Sequence, residues 1–168
     1  MVPEREDWSF NMREKKQPNN TDQSTKINEM EERVLNIKRV SKKNRGGNTI
    51  RFTALVVVGD KNGSVGTGYG KGRDVTTAIT KAVSQAKRDV VNVPVKNGTI
   101  AHEVTHKYGS AQIKLKPAPK GAGIIAGGSV RTVVELAGIA DISAKMLGSS
   151  NKVANVRCAI EALQKLKK

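Results

Sequence analysis

Apolar and polar positions along the chain fall into short β-type runs and longer helical ones, divided by turn residues. Residues 34–40 and 50–58 are rich in β-branched side chains. In the second run Ile50, Phe52, Val56 and Val58 stand against Arg51 and Thr53, so both runs read as strands. Asp60-Lys61-Asn62-Gly63 reads as a turn into a third strand, which carries Val65, Thr67 and Tyr69 on one face and Gly66, Gly68 and Gly70 on the other. A strand face without side chains lets another backbone come close, whether a packed helix or a sugar-phosphate chain. After Asp74, a candidate cap, Val75, Ala78, Ile79, Ala82, Val83, Ala86 and Val90 recur at helical spacing and predict an amphipathic helix against the three strands.

Pro94 and Asn97-Gly98 mark a boundary. Beyond it the pattern predicts strands at 100–106 and 111–116, a loop at 117–128, a helix at 130–137 and a strand at 142–147. A closing helix follows, with Asn151 as its cap, Val153, Val156, Ile160 and Leu163 on its inner face, and Glu161–Lys165 as an i,i+4 pair. No internal repeat is evident. The expected fold class is therefore α+β, built as two small α/β domains: a β-β-β-α unit at 34–97, and a small sheet with two helices at 98–168.

Residues 1–33 do not share this patterning. They include the polar run from Gln17 to Thr25, too poor in apolar surface to offset the entropy of ordering, and are expected to form a mobile tail. Trp8 and Phe10 are the exceptions, two large rings suited to docking on a partner. Composition supports a folded body after the tail, because 39 of 168 residues are Leu, Ile, Val or Phe. The single cysteine, Cys158, excludes an intramolecular disulfide framework and suits a reducing compartment. No apolar run approaches the ~18 residues of a membrane span, and the start lacks a signal peptide's apolar stretch, so the expected location is the cytoplasm with no membrane partner.

Charge narrows the partner class. The formal charge is +15, and residues 34–168 hold 24 basic and 7 acidic side chains, so the excess belongs to the body. Self-repulsion on this scale commonly persists because a polyanion neutralises it. Between the first two strands Ser41-Lys42-Lys43-Asn44-Arg45-Gly46-Gly47-Asn48 reads as a basic, pliable hairpin tip, with Arg51 just inside the second strand. Gly68-Tyr69-Gly70-Lys71 and Arg73 resemble a nucleotide-binding loop but fit neither glycine pattern, since Gly72 replaces the Ser or Thr after Lys71. Free amides beside Lys71, Arg73 and a helix N-terminus still favour a phosphate. Lys116, Lys120 and Gly121, followed by Gly127-Gly128 and a helix for Ser129 to cap, repeat that theme more weakly. Only Phe52, Tyr69 and Tyr108 supply rings in the body, so phosphate, 2′-hydroxyl and shape contacts to structured RNA fit better than base stacking.

His102-Glu103-Val104-Thr105-His106 spells the zinc-peptidase pattern. The segment is β-prone, however, and two histidines four residues apart on a strand lie about 13 Å from each other, too far to share a metal. No third histidine exists to complete the set, so no metal, cofactor or catalytic residue is expected.

Several stretches carry a family resemblance: Arg39 through Lys43 to Gly46-Gly47, the run from Phe52 to Leu55, Val58-Gly59-Asp60, Gly68 to Lys71, Gly123 to Gly128 and Gly148 to Asn151. Together they resemble the bacterial small-subunit ribosomal protein five family over about residues 34–163. That resemblance implies a first domain similar to a double-stranded-RNA-binding fold without its leading helix. It implies binding to 16S ribosomal RNA where head and body of the 30S subunit meet, contacts with small-subunit proteins four and eight, messenger RNA nearby, support of accurate decoding, and no catalysis. By the same resemblance, residues 41–48 match the loop near the spectinomycin-binding region and residues 68–71 an RNA-facing surface. Two departures stand out: Lys152 occupies a position where the family commonly has Pro, and the tail is longer than usual. The competing reading is a free-standing RNA chaperone or regulator of the same fold.

Overall fold

The computed structural model describes residues 30–95 and 97–166. The expected tail, with Trp8 and Phe10, falls almost wholly outside them. Among the described residues two four-stranded sheets carry three helices. The first sheet has the order β1-β2-β3-β4, from β1 (Glu31–Asn44), β2 (Gly47–Gly59), β3 (Ser64–Gly72) and the short β4 (Val90–Asn92), with α1 (Val75–Arg88) on one face. The second has the order β5-β6-β8-β7, from β5 (Val104–Tyr108), β6 (Ala111–Pro117), β7 (Ile124–Ile125) and β8 (Ile142–Gly148), joined by α2 (Gly128–Leu136) and α3 (Lys152–Gln164). All pairings are antiparallel except β7 with β8.

Several boundaries differ from the pattern's reading. β1 begins at Glu31, inside the stretch read as tail. β5 begins only at Val104, because the chain bends at residues 101–102. β4 and β7 were not anticipated; with three and two residues they hold only through their neighbours' hydrogen bonds. The hairpin is far tighter than a pliable eight-residue tip. Pairing runs to Asn44↔Gly47, so only Arg45 and Gly46 turn, and Asn44 Nδ2 donates to Thr49 Oγ1 at 2.8 Å across the arm.

The bare glycine face of β3 meets a helix. A methyl group added at Gly66, Gly68 or Gly70 would overlap the backbone carbonyl oxygen of Ala86, Ala82 or Ala78. Those alanines are fully buried, and Ala54, Val56, Ala78 and Ala82 form a small core between sheet and helix. The other face of β2 sends Leu55 and Val57, with Val65 of β3, into a larger core that includes Ile113, Leu115, Val133, Leu136, Ile142, Val156 and Leu163. Residues 54–58 are thus buried on both faces, none exposed by more than 2%. The two sheets share a core, and simple alternation in β2 ends where that second layer covers it.

A polar seam reinforces the junction. The amides of Lys61 and Gly63 donate to the carbonyls of Leu136 and Ala137, both at 3.0 Å, closing the β2–β3 turn onto the C-terminus of α2. Glu135 accepts from Arg33 at 2.5 Å and from Arg131 at 2.8 Å, and Lys61 pairs with Glu31. The Arg131 hydrogen bond, aided by Arg33, holds the Glu135 carboxyl below its ordinary range. At Asp60 burial pushes upward, but the amides of Asn62 and Ser64, at 2.8 and 2.9 Å, outweigh it and the net shift is also down. Carboxyls with depressed folded-state values stabilise the fold above their unfolded values and lose that contribution as pH falls through the folded ones. Melting temperature is therefore expected to hold above about pH 5 and to drop as pH falls toward about 3. Thermal melts across that range check this, with Glu135→Gln expected to melt lower at neutral pH and to show a shallower acid fall.

Lys152 is the first residue of α3. Asn151 caps the helix as expected, its side chain accepting from the Val153 amide at 3.2 Å, and its backbone is extended, φ −66° and ψ 113°. That is the conformation a residue before proline needs, and the first helical position has no intrahelical use for its N–H. Lys152→Pro is expected to raise stability by about 0.5 kcal/mol through a less flexible unfolded chain, read as a small rise in urea midpoint at unchanged slope.

Candidate nucleic-acid interface

Residues 38–51 form a two-stranded arm outside the two cores. Every residue in it is exposed except half-buried Val40. Cross-strand partners in an antiparallel sheet share a face. Lys38, Thr53 and Lys71 form one row, followed toward the tip by Val40–Arg51 and Lys42–Thr49, on the face away from α1. Arg39 and Lys43 lie on the opposite face with Ile50 and Phe52, and Arg45 stands in the turn. The arm is therefore cationic on both faces and at its end.

Val40, Lys42, Asn44, Thr49, Arg51 and Lys71 on the face away from α1, with Ser41 between them in the chain, line an open groove of about 310 Å³. This brings together five candidates from the sequence and adds Val40 and Thr49, with Lys38 in the adjoining row. The signal for the additions lay in β1, where Val40, Lys42 and Asn44 occur at every second position. Their partners on β2 follow only once the two-residue turn sets the register. No acidic side chain lines this groove.

Other candidates are placed differently. Gly68 and Gly70 are buried under α1, so the close approach they permit is to a helix. Tyr69 is 43% exposed but lines a separate crevice. Arg73 is exposed just before α1, whose cap Asp74 makes no side-chain hydrogen bond to the first turn; that turn contains no acidic residue. Its amides remain available to an anion beside Arg73.

The second glycine-rich segment is largely committed internally. The amides of Gly121 and Gly123 donate to Asp141 Oδ1 at 3.1 and 2.8 Å, so this buried carboxylate occupies the cradle expected for phosphate. Lys116 lies 3.6 Å from Glu103, which Lys114 binds more closely at 2.6 Å. Lys120 is exposed and Gly128 opens α2 with free space beside it. Gly127, rather than Ser129, is the cap of α2; the Ser129 hydroxyl instead faces the Met146 sulfur at 3.5 Å.

The histidine motif does not assemble. His102 is exposed in a bend, while His106 lies on β5 with Nε2 2.8 Å from Glu161 and Nδ1 3.1 Å from Lys165 Nζ. The expected Glu161–Lys165 pair thus meets through the imidazole between them. Among the described residues no three His, Cys, Asp or Glu side chains group to hold a metal. Cys158 is buried, which pushes its thiol above the ordinary value and away from nucleophilic use.

Family models match both halves: Ribosomal protein S5, N-terminal domain, over residues 30–94, and Ribosomal protein S5, C-terminal domain, over residues 106–168. The chain belongs to the ribosomal protein S5 family. S5 proteins are structural, non-catalytic constituents of the ribosome that bind 16S rRNA within the 30S subunit. The S5 N-terminal match spans the cationic arm, its groove and α1; the S5 C-terminal match spans the second sheet from His106 in β5 onward and both of its helices.

Proposed function

We propose that this chain is a structural constituent of the cytoplasmic 30S subunit that binds 16S rRNA through phosphate and shape contacts. It holds head and body in their working arrangement and supports accurate decoding beside the path of messenger RNA. The observation that carries this reading is the exposed arm, with Lys42, Lys43, Arg45 and Arg51 on two faces and a turn, and with Lys71 beside it. A ribbon with cations on both sides suits a cleft between phosphate backbones, and its few rings leave little for base stacking.

In this reading residues 34–97 form the RNA-binding domain, similar to a double-stranded-RNA-binding fold, and residues 98–168 form the second domain. Arm residues 41–48, Arg51, Lys71 and Arg73 make the principal contacts, and Lys120 with Gly128 makes a lesser one. Small-subunit proteins four and eight are the protein neighbours. Sedimentation of cell extract through a high-salt gradient tests the proposal: the chain is expected to stay with 30S particles. A chain found mainly free, or bound to small RNAs, would replace this reading with that of a free-standing RNA chaperone.

A further inference from the structure

β3 is an edge strand over most of its length. β4 pairs only with Ser64, Val65 and Gly66, and among the described residues no strand covers β3 from Thr67 onward. Exposed backbone of this kind is a template for an added strand. The amide of Tyr69 is already met by a stand-in, since the exposed Gln85 side chain reaches from α1 to accept from it at 3.2 Å. A side-chain carbonyl in that place is readily exchanged for the backbone carbonyl of an incoming strand.

The crevice beside this edge has its own chemistry. It measures about 260 Å³ and runs between β3, the C-terminus of α1 and α3, with Leu55, Val91 and Ile160 among its apolar lining. A volume below the roughly 300–1,000 Å³ of small-molecule pockets fits one or two long side chains instead. Its rim holds Asp89 and Glu161, two of only 7 acidic residues in 34–168; Glu161 also meets His106 Nε2 at 2.8 Å, and the one basic residue lining the crevice, Arg157, donates to the Tyr108 hydroxyl at 3.2 Å. On a body this basic, a locally acidic crevice disfavours phosphate and favours a cation.

We propose that β3 accepts a strand from another protein, an extended segment whose Lys or Arg side chain enters the crevice lined by Asp89 and Glu161. Backbone pairing to β3 supplies the affinity and the acidic crevice supplies the preference for a basic residue. The inference rests on the ribosomal reading only in taking the 30S particle as the place where that partner is met.

The test places p-benzoylphenylalanine at Gln164 in the full chain, isolates 30S particles, irradiates them and maps crosslinked peptides by mass spectrometry. The expected product joins position 164 to one segment of another protein that carries Lys or Arg among alternating apolar residues. Asp89→Lys is expected to lower its yield roughly tenfold, because like charge opposes the entering cation. A lysine at this helix C-terminus suits the helix dipole, so the variant is expected to fold. Crosslinks to rRNA, to residues 1–29 of the same chain or to a second copy would each overturn the proposal, as would a yield unchanged by Asp89→Lys. The same gradient reports incorporation: a chain missing from the 30S peak defeats the ribosomal reading and this inference with it, whereas a chain present but crosslinked elsewhere defeats the inference alone.

Discussion

Gly68→Ala is expected to destabilise the protein by about 3 kcal/mol, among the largest losses any single methyl group could cause here. The added carbon would overlap the Ala82 carbonyl and crowd the Ala86 amide, all backbone atoms of a helix that cannot rotate out of the way. Relief requires α1 to lift from β3, which opens the small core of Ala54, Val56, Ala78 and Ala82 and the contacts of Phe52, Ile79 and Val83 around it. For a chain of this length the loss corresponds to a fall of roughly 10 °C in melting temperature. Gly128→Ala is the control, because nothing lies within 4 Å of that position and it opens a helix. Its melting temperature is expected to match or slightly exceed that of the parent. Equal melting of the Gly68→Ala variant and the parent would show that helix and strand are not in the close contact described.

Replacing Lys42, Lys43 and Arg45 together with alanine is expected to cost roughly two to three decades of affinity for 16S rRNA at about 0.1 M salt. Lys43 faces away from Lys42, and Arg45 stands at the turn, so each can meet a different phosphate. If each releases about one counterion, the slope of log affinity against log salt falls in magnitude by roughly 2 to 3, and parent and variant converge near 1 M salt. All three residues are exposed, so melting temperature should barely move. Filter binding to a 16S transcript across a salt series measures the slope. Parallel lines for parent and variant would remove the arm from the phosphate contacts.

These two variants probe features that differed in how plainly the sequence announced them. The arm's charge was legible because lysine and arginine cannot be buried unpaired in number, so three cations beside a Gly-Gly pair had to lie at the surface. Its pairing out to the tip was not, because a basic Gly-rich segment reads the same whether two or eight residues turn. The difference lies in the pairing of Lys42 with Thr49 and Lys43 with Asn48 across the arm. The glycine stripe was equally plain, yet a bare strand face accepts a helix or a phosphate chain alike. Matching alanines at 78, 82 and 86 show that it is a helix.

What the sequence determined by itself was the set of main strands and helices, the strand setting of His106 and the cationic character of the body. Each of these follows from local periodicity, turn chemistry or summed charge. Only the tertiary structure decided the rest. Asp141 captures the amides of Gly121 and Gly123 from 20 and 18 residues away, so a loop that looks free for phosphate is already filled. β4 and β7 exist because longer neighbours supply their hydrogen bonds, and the two sheets share a core because both faces of β2 find apolar partners. In each case the deciding group lies far along the chain from the residue it acts on, and a one-dimensional pattern carries no record of which distant group arrives.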